Sequence, residues 1–152
     1  MGKKKLIDLY PYRIIDTKPR FLLFKRSEGY IYEGQWRMIG GKVEEGEAYW
    51  QAALRELKEE TGLTPQKFWT LPGINQFYEP KTDQILAIPA FAAEIEPGHE
   101  PILDEEHQKA EWFGIEDAIK IIHWPEQQRL MKLLNNLLIS NQILDDWHVS
   151  IH

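Results

Sequence analysis

Cysteine is absent from the 152 residues. This excludes a disulfide framework, a thiolate zinc site and a cysteine nucleophile together, and it suits a reducing compartment, so the cytoplasm is the expected location. No apolar run approaches the roughly 18 residues needed to cross a bilayer. The longest clean stretch, Ile85 to Ala93, has the length of a strand and is interrupted by Pro89. No membrane partner is expected. Met1-Gly2-Lys3-Lys4-Lys5 carries charge, but Leu6-Ile7-Asp8-Leu9-Tyr10 behind it is no signal-like apolar segment, so the lysines read as a solvated tail. Positive charge is also short: 18 Lys and Arg against 24 Asp and Glu leave a net −6. That balance argues against a nucleic acid polymer as partner and leaves a small anionic substrate in need of a metal ion. Repeats, low-complexity tracts and linkers are lacking too. A chain of this length removes roughly 68–70% of its unfolded surface from water on folding, enough for one core. Residues 1–152 are therefore expected to form a single domain.

What is present is a mixture of two periodicities. Leu6 to Ile15 and Phe21 to Lys25 are rich in β-branched, aromatic and aliphatic residues and are separated by turn residues Asp16 to Pro19, which predicts paired strands. Ser27 to Gly34 reads as a polar loop, and Trp36 to Ile39 as a short strand running into a tight loop at Gly40-Gly41. From Glu47 to Thr61 the apolar residues Trp50, Ala53, Leu54 and Leu57 fall on one helical face, with Gly62 and Pro65 as stop signals. Phe68 to Tyr78 and Gln84 to Glu96 read as strands, the second apolar enough to be buried on both faces. Ala110 to Phe113 is a shorter strand, Ile115 to Ile122 a brief helix, and Pro125 opens a last helix. In that helix Leu130, Leu133, Leu134, Leu137 and Leu138 form a stripe for the core or for a homodimer interface. Strands and helices without regular βαβ alternation imply a mixed sheet covered by helices.

The helix from Glu47 to Thr61 also carries Glu56, Glu59 and Glu60 at i, i+3 and i+4. These positions share a face about 110° from the apolar one, so one side can pack while the other lines a cleft. Three neighbouring carboxylates repel one another. Either water solvates them or a hard divalent cation, which prefers oxygen ligands, sits among them.

The spacing around them decides between these readings. From Gly41 the chain runs Gly41, five residues, Glu47, seven residues, then Arg55-Glu56-Leu57-Lys58-Glu59-Glu60-Thr61-Gly62-Leu63. This resembles, with no mismatch, the Nudix hydrolase signature Gx5Ex7REUxEExGU, where U is a bulky aliphatic residue. Its specified positions would match by chance with a probability of about 10⁻⁷ at ordinary residue frequencies. The resemblance implies an α/β Nudix-type α/β/α sandwich with a mixed β-sheet. It also implies Mg²⁺- or Mn²⁺-dependent attack of water on a nucleoside diphosphate linked to another moiety. Carried over by position, Glu56, Glu59 and Glu60 are implied metal ligands, the Gly40 carbonyl a further ligand, and Glu47 and Arg55 structural partners. Ile39 stands where many members of the family have proline.

Outside the motif, the run Asp104-Glu105-Glu106-His107 ahead of Ala110-Glu111-Trp112 resembles two branches of that family. One acts on nucleoside triphosphates (dATP or dihydroneopterin triphosphate), the other on diadenosine tetraphosphate. It makes Glu106 an implied metal ligand and, with Glu59 and Glu60, a candidate for taking the proton from water. His107 is expected in an ordinary packing role. Arg26, Arg37, Lys42 and Lys81 are candidate phosphate partners. Tyr30, Tyr32, Trp36, Phe77 and Tyr78 are candidates to stack on a base; Tyr78 and Pro80 occupy the stretch where branch markers fall. The expected activity is metal-dependent hydrolysis of a pyrophosphate bond in a nucleoside triphosphate-like substrate. Diadenosine tetraphosphate or ADP-ribose hydrolysis, or a non-catalytic nucleotide-binding module, are the alternatives.

Overall fold

The first strands meet in a hairpin. In this computed structural model, which describes residues 4–151, β1 (Leu6–Ile15) and β2 (Lys18–Arg26) are antiparallel. Met1 to Lys3 of the lysine-rich start lie outside the described residues. Asp16 and Thr17 both take positive φ, 50° and 67°, which matches a two-residue turn to the right-handed twist of the strands. The turn is thus shorter than Asp16 to Pro19, and Pro19 pairs with Ile14 inside β2.

The strand expected at Trp36 to Ile39 is divided between two strands. β3 (Trp36–Arg37) pairs with β2, whereas β4 (Ile39–Lys42) pairs with β1, Asp8 opposite Gly40 and Ile7 opposite Gly41. The glycine pair therefore lies in a strand, not in the expected tight loop. After α1 (Tyr49–Thr61), β5 (Lys67–Glu79) and β6 (Gln84–Glu94) form a long hairpin, and β6 runs parallel to β1. β7 (His107–Phe113) pairs with β2 and is followed by α2 (Ile115–Ile121) and α3 (Pro125–Ser140). The resulting sheet is mixed, with the path β3-β2-β1-β6-β5 and β4 and β7 added on β1 and β2.

Alternation along β1 feeds two cores. Ile7 and Leu9 join Ala52, Ala53 and Leu57 of α1, with Phe24 and Phe91 beneath them. Tyr10 and Tyr12 join Leu130, Met131, Leu134 and Leu137 of α3, with Trp69 and Leu71 of β5. This is the expected helix-sheet-helix sandwich, and the leucine stripe of α3 is core. Two further expectations change. α1 begins at Tyr49 because Glu47 is held in the preceding turn, where its Oε1 accepts the Glu44 N–H at 3.0 Å. β6 is buried on both faces only at Ala90 to Ala93; Ile85 is 66% exposed because the outer hairpin extends past the helices.

Asp8 is the exception in β1. It stands on the same face as Tyr10 and Tyr12, is only 4% exposed, and opens toward a cavity instead of packing.

Candidate active site

Arg55 organises the acidic face of α1. Its guanidinium donates to Glu47 (Nε to Oε2, 2.8 Å), to the Lys42 carbonyl (2.8 Å), and through one nitrogen, Nη1, to both Glu56 (2.9 Å) and Glu59 (3.2 Å). A planar donor fork can serve several acceptors at fixed angles, which a lysine cannot. It ties the end of β4 to the helix and keeps the Glu56 and Glu59 carboxylates together. The helix ends where the sequence suggests: Gly62 takes φ 73° and its N–H reaches the Lys58 carbonyl at 2.9 Å.

Beside this face lies a cavity of about 470 Å³. Gly40, Lys42, Glu56 and Glu60 line it from β4 and α1; Arg26, Arg37 and Glu106 line it from β2, β3 and the loop before β7. Glu59 lies outside it, its side chain 58% exposed against Arg55. Tyr78 also lies outside, 56% exposed, donating its hydroxyl to Asp83 Oδ1 at 2.8 Å. Tyr32, Phe77 and Trp124 supply aromatic surface to the cavity.

Glu60 carries the strongest electrostatic signal. It is 7% exposed, and burial, together with the charges of Glu56, Asp104 and Glu106, pushes its carboxyl up to about 9, against a smaller opposing pull from Arg26. Its Oε2 is buried with no hydrogen-bond partner among the described residues. Buried oxygens are rarely left unpaired, and an ionised carboxylate in such surroundings needs a cation. Glu56 is also raised, by burial first, although Arg55 opposes the shift. The donor set therefore suits a hard divalent ion. Glu60, Asp104 and His107 each offer a ligand atom, all within 4.8 Å of one another.

His107 is occupied at both ring nitrogens. Arg26 can only donate, so His107 Nε2 accepts from Arg26 Nη1 at 3.2 Å; Nδ1 then bears the proton and donates to Asp104 Oδ1 at 2.8 Å. Arg26 also pairs with Glu106 at 3.2 Å and reaches the Ile31 carbonyl at 3.1 Å. His107 thereby helps to hold Arg26 between the acid loop and residues 27–34. Sequence reasoning did not single out Asp104, which here completes the acidic group.

A second polar set lines the same cavity. Asp8 Oδ2 accepts from Gln127 Nε2 at 3.2 Å and from Asn75 Nδ2 at 3.4 Å. Burial pushes the Asp8 carboxyl up despite these bonds and the charge of Arg37. Arg37 stacks on the Tyr32 ring, 3.9 Å from its centroid, with Nη1 buried and unpartnered among the described residues. Of this set only Arg37 stands out in the sequence, and no pattern joins it to the others, because they come from β1, β3, β5 and α3.

The NUDIX domain model matches residues 12–134. The chain belongs to the Nudix hydrolase family. It is 32% identical over 136 residues to a bis(5'-nucleosyl)-tetraphosphatase [asymmetrical] of Caenorhabditis elegans, covering 88% of this chain and 96% of that protein. It is 28% identical over 126 residues to an oxidized purine nucleoside triphosphate hydrolase of Mus musculus, covering 83% of this chain and 78% of that one. The crystal structure of a C. elegans Ap4A hydrolase binary complex superposes with a TM-score of 0.77 at 28% identity, over 91% of this chain and 99% of that one. As a Nudix hydrolase it acts on acid anhydrides, with a nucleotide as the class of substrate. No helix among the described residues is long and apolar enough to cross a membrane.

Proposed function

We infer that this Nudix hydrolase cleaves a pyrophosphate bond in a nucleoside triphosphate-like substrate with Mg²⁺ or Mn²⁺, as a single domain in the cytoplasm. The observation that carries the reading is the buried, unpartnered Oε2 of Glu60, a residue that lines a cavity with Glu56, Glu106, Arg26, Arg37 and Lys42. A divalent ion held by Glu56 and Glu60, with Glu59, Glu106 and the Gly40 carbonyl as further ligands, would neutralise phosphate charge and lower the pKa of a bound water. Arg26, Arg37 and Lys42 bind and orient the phosphate oxygens. Glu106, paired to Arg26 at the cavity, accepts the proton of the attacking water, with Glu59 or Glu60 as alternates. Arg55 fixes the carboxylates so that no rearrangement is needed when the substrate arrives.

A second reading, hydrolysis of a dinucleoside tetraphosphate, is favoured by the 32% identity to the C. elegans tetraphosphatase. Product analysis separates the two. Purified protein with Mg²⁺ is given nucleoside triphosphates, diadenosine tetraphosphate and ADP-ribose, and the products are resolved by anion exchange. A nucleoside monophosphate and pyrophosphate from a triphosphate supports the first reading; turnover confined to the dinucleotide supports the second. No metal-dependent turnover of any substrate contradicts both and leaves a non-catalytic nucleotide-binding module.

A further inference from the structure

The loop from Glu96 to Glu106 joins two strands that are not neighbours. It leaves β6 beside β1, where the Ile95 N–H donates to the Tyr12 carbonyl at 2.8 Å, and it crosses β1 and β2 to reach β7 opposite Arg26. Glu96 to Glu100 are all exposed and Ile102 is 79% exposed, so burial of apolar surface does little to hold the first half of the loop. Polar ties hold it instead. The Glu100 carboxylate accepts from Arg13 Nη1 of β1 at 2.8 Å through Oε1, and from Trp112 Nε1 of β7 at 2.9 Å through Oε2. The Arg13 guanidinium lies over the Trp112 ring, 4.1 Å from its centroid, and Trp112 packs against the core that holds Leu57 of α1. The Trp112 N–H, and Arg13 with it, hold the Glu100 carboxyl below the usual carboxylate range, although desolvation opposes them.

A lone ion pair at a surface contributes little. Here the anion has donors from two different strands and the cation is stacked on one of them, so the three side chains fix one another. The consequence lies further along the loop. Beyond Glu100, the Ile102 N–H donates to the Thr61 carbonyl at 2.9 Å, next to Glu60, and the Glu106 carbonyl accepts from the Ser27 N–H at 2.8 Å, next to Arg26. Along the same stretch Asp104 has a ligand atom within 4.8 Å of one on Glu60, and Glu106 pairs with Arg26. Arg13, Glu100 and Trp112 are not among the residues lining the cavity. Trp112 stands five residues along β7 from His107, roughly 17 Å away, so the trio acts on the site through the loop and not by contact. We propose that Glu100 is a positioning residue: it binds Arg13 and Trp112 so that the loop delivers Asp104 to Glu60 and Glu106 to Arg26. This deepens the hydrolase reading and rests on it for the role of Glu106 in the reaction.

Two readouts test this on the full chain. The first needs no metal: hydrogen exchange of the Ile102 and Ser27 amides, followed by NMR in EDTA. The second is Mn²⁺ affinity by electron paramagnetic resonance, with kcat and KM on the same samples. Both are applied to the wild type, Glu100→Ala, Trp112→Phe, Glu106→Gln, and the combination of Glu100→Ala with Glu106→Gln. Glu100 is exposed, so its truncation leaves the cores intact; Trp112→Phe keeps a ring under Arg13 and deletes the donor. The proposal expects both amides to exchange about two- to thirtyfold faster in Glu100→Ala, with Leu57 and Leu134 near their wild-type rates. Mn²⁺ affinity and kcat fall within the same range, and KM changes less. Trp112→Phe moves each quantity the same way by a smaller factor. In the Glu106→Gln background Glu100→Ala costs less Mn²⁺ affinity than in the wild type, because one group that it positions is already gone. Unchanged exchange in both single variants, faster exchange with Mn²⁺ affinity and kcat unchanged, or equal losses in the two backgrounds overturns the proposal and leaves the hydrolase reading intact. A wild type that takes up no Mn²⁺ and turns over no substrate, with exchange still faster in Glu100→Ala, would contradict the hydrolase reading and uphold the loop tie.

Discussion

Gly41 and Glu56 occupy space that no other residue at position 41 could share. A Cβ on Gly41 would lie 2.5 Å from both Cγ and Cδ of Glu56, well inside van der Waals contact. The glycine is there to let an acidic side chain lie against strand β4.

Gly41→Ala therefore displaces the Glu56 carboxylate and breaks its contact with Arg55 while leaving the buried cores untouched. Metal-dependent turnover should fall about tenfold or more, as supporting contacts of metal ligands typically cost, with a shift in Tm of only a few degrees. Steady-state kinetics with a magnesium titration, alongside thermal melts, checks this. Unchanged turnover would mean that Glu56 has no fixed position to lose.

Arg55→Ala should cost stability as well as activity. It leaves Glu47 and Glu56, both less than one-sixth exposed at the side chain, without their cation. Losing charged hydrogen bonds of this kind costs about 1–3 kcal/mol, which in a domain of this size lowers Tm by roughly 3–9 °C. Arg55→Lys should recover part of the stability but not the activity, since one ammonium cannot hold three carboxylates in a plane. Differential scanning calorimetry of both variants separates these outcomes.

Helix α1, its acidic face and the glycine stop were legible because a 3.6-residue period and a spaced motif are local signals. The strands were legible as apolar runs, and the α3 stripe as core. The splitting of Trp36 to Lys42 between two partners was not, since pairing is a property of the sheet and not of the segment. The acidic group also extends beyond α1: Asp104 and His107 reach Glu60 only because β7 pairs with β2 and carries its leading loop to the cavity. Asp8 reads as an ordinary interruption of a strand until Gln127 and Asn75 are seen to meet it. For Tyr78, the sequence shows a stacking residue, whereas the hairpin turns it outward to Asp83.

The pH dependence of stability follows from Glu60. Its carboxyl is pushed up to about 9 in the folded chain against an ordinary 4.5. Between those values the folded state binds more proton than the unfolded state, so stability falls as pH rises. The contribution is complete below about 4.5 and gone above about 9. In EDTA, Tm of the wild type should decline across this interval more steeply than that of Glu60→Gln. Magnesium should raise Tm more at the alkaline end, where no proton has to be displaced. Parallel profiles for the two proteins would contradict the assignment.

Arg26→Ala should free Glu106 and His107 together, because one guanidinium contacts both. The expected result is a higher KM for the nucleotide and a fall in kcat, together with a lower Tm, because Arg26 also ties the acid loop to the Ile31 carbonyl. A change confined to Tm would show that Arg26 only braces the loop.

The most direct test is the uptake of Mn²⁺ followed by electron paramagnetic resonance in the wild type and in Glu60→Gln and Glu56→Gln, with turnover measured on the same samples. The account predicts saturable binding by the wild type, affinity lowered about tenfold or more in each variant, and loss of hydrolysis in parallel. Binding and turnover that survive both substitutions unchanged, or a wild-type protein that takes up no manganese even with nucleotide present, would contradict it.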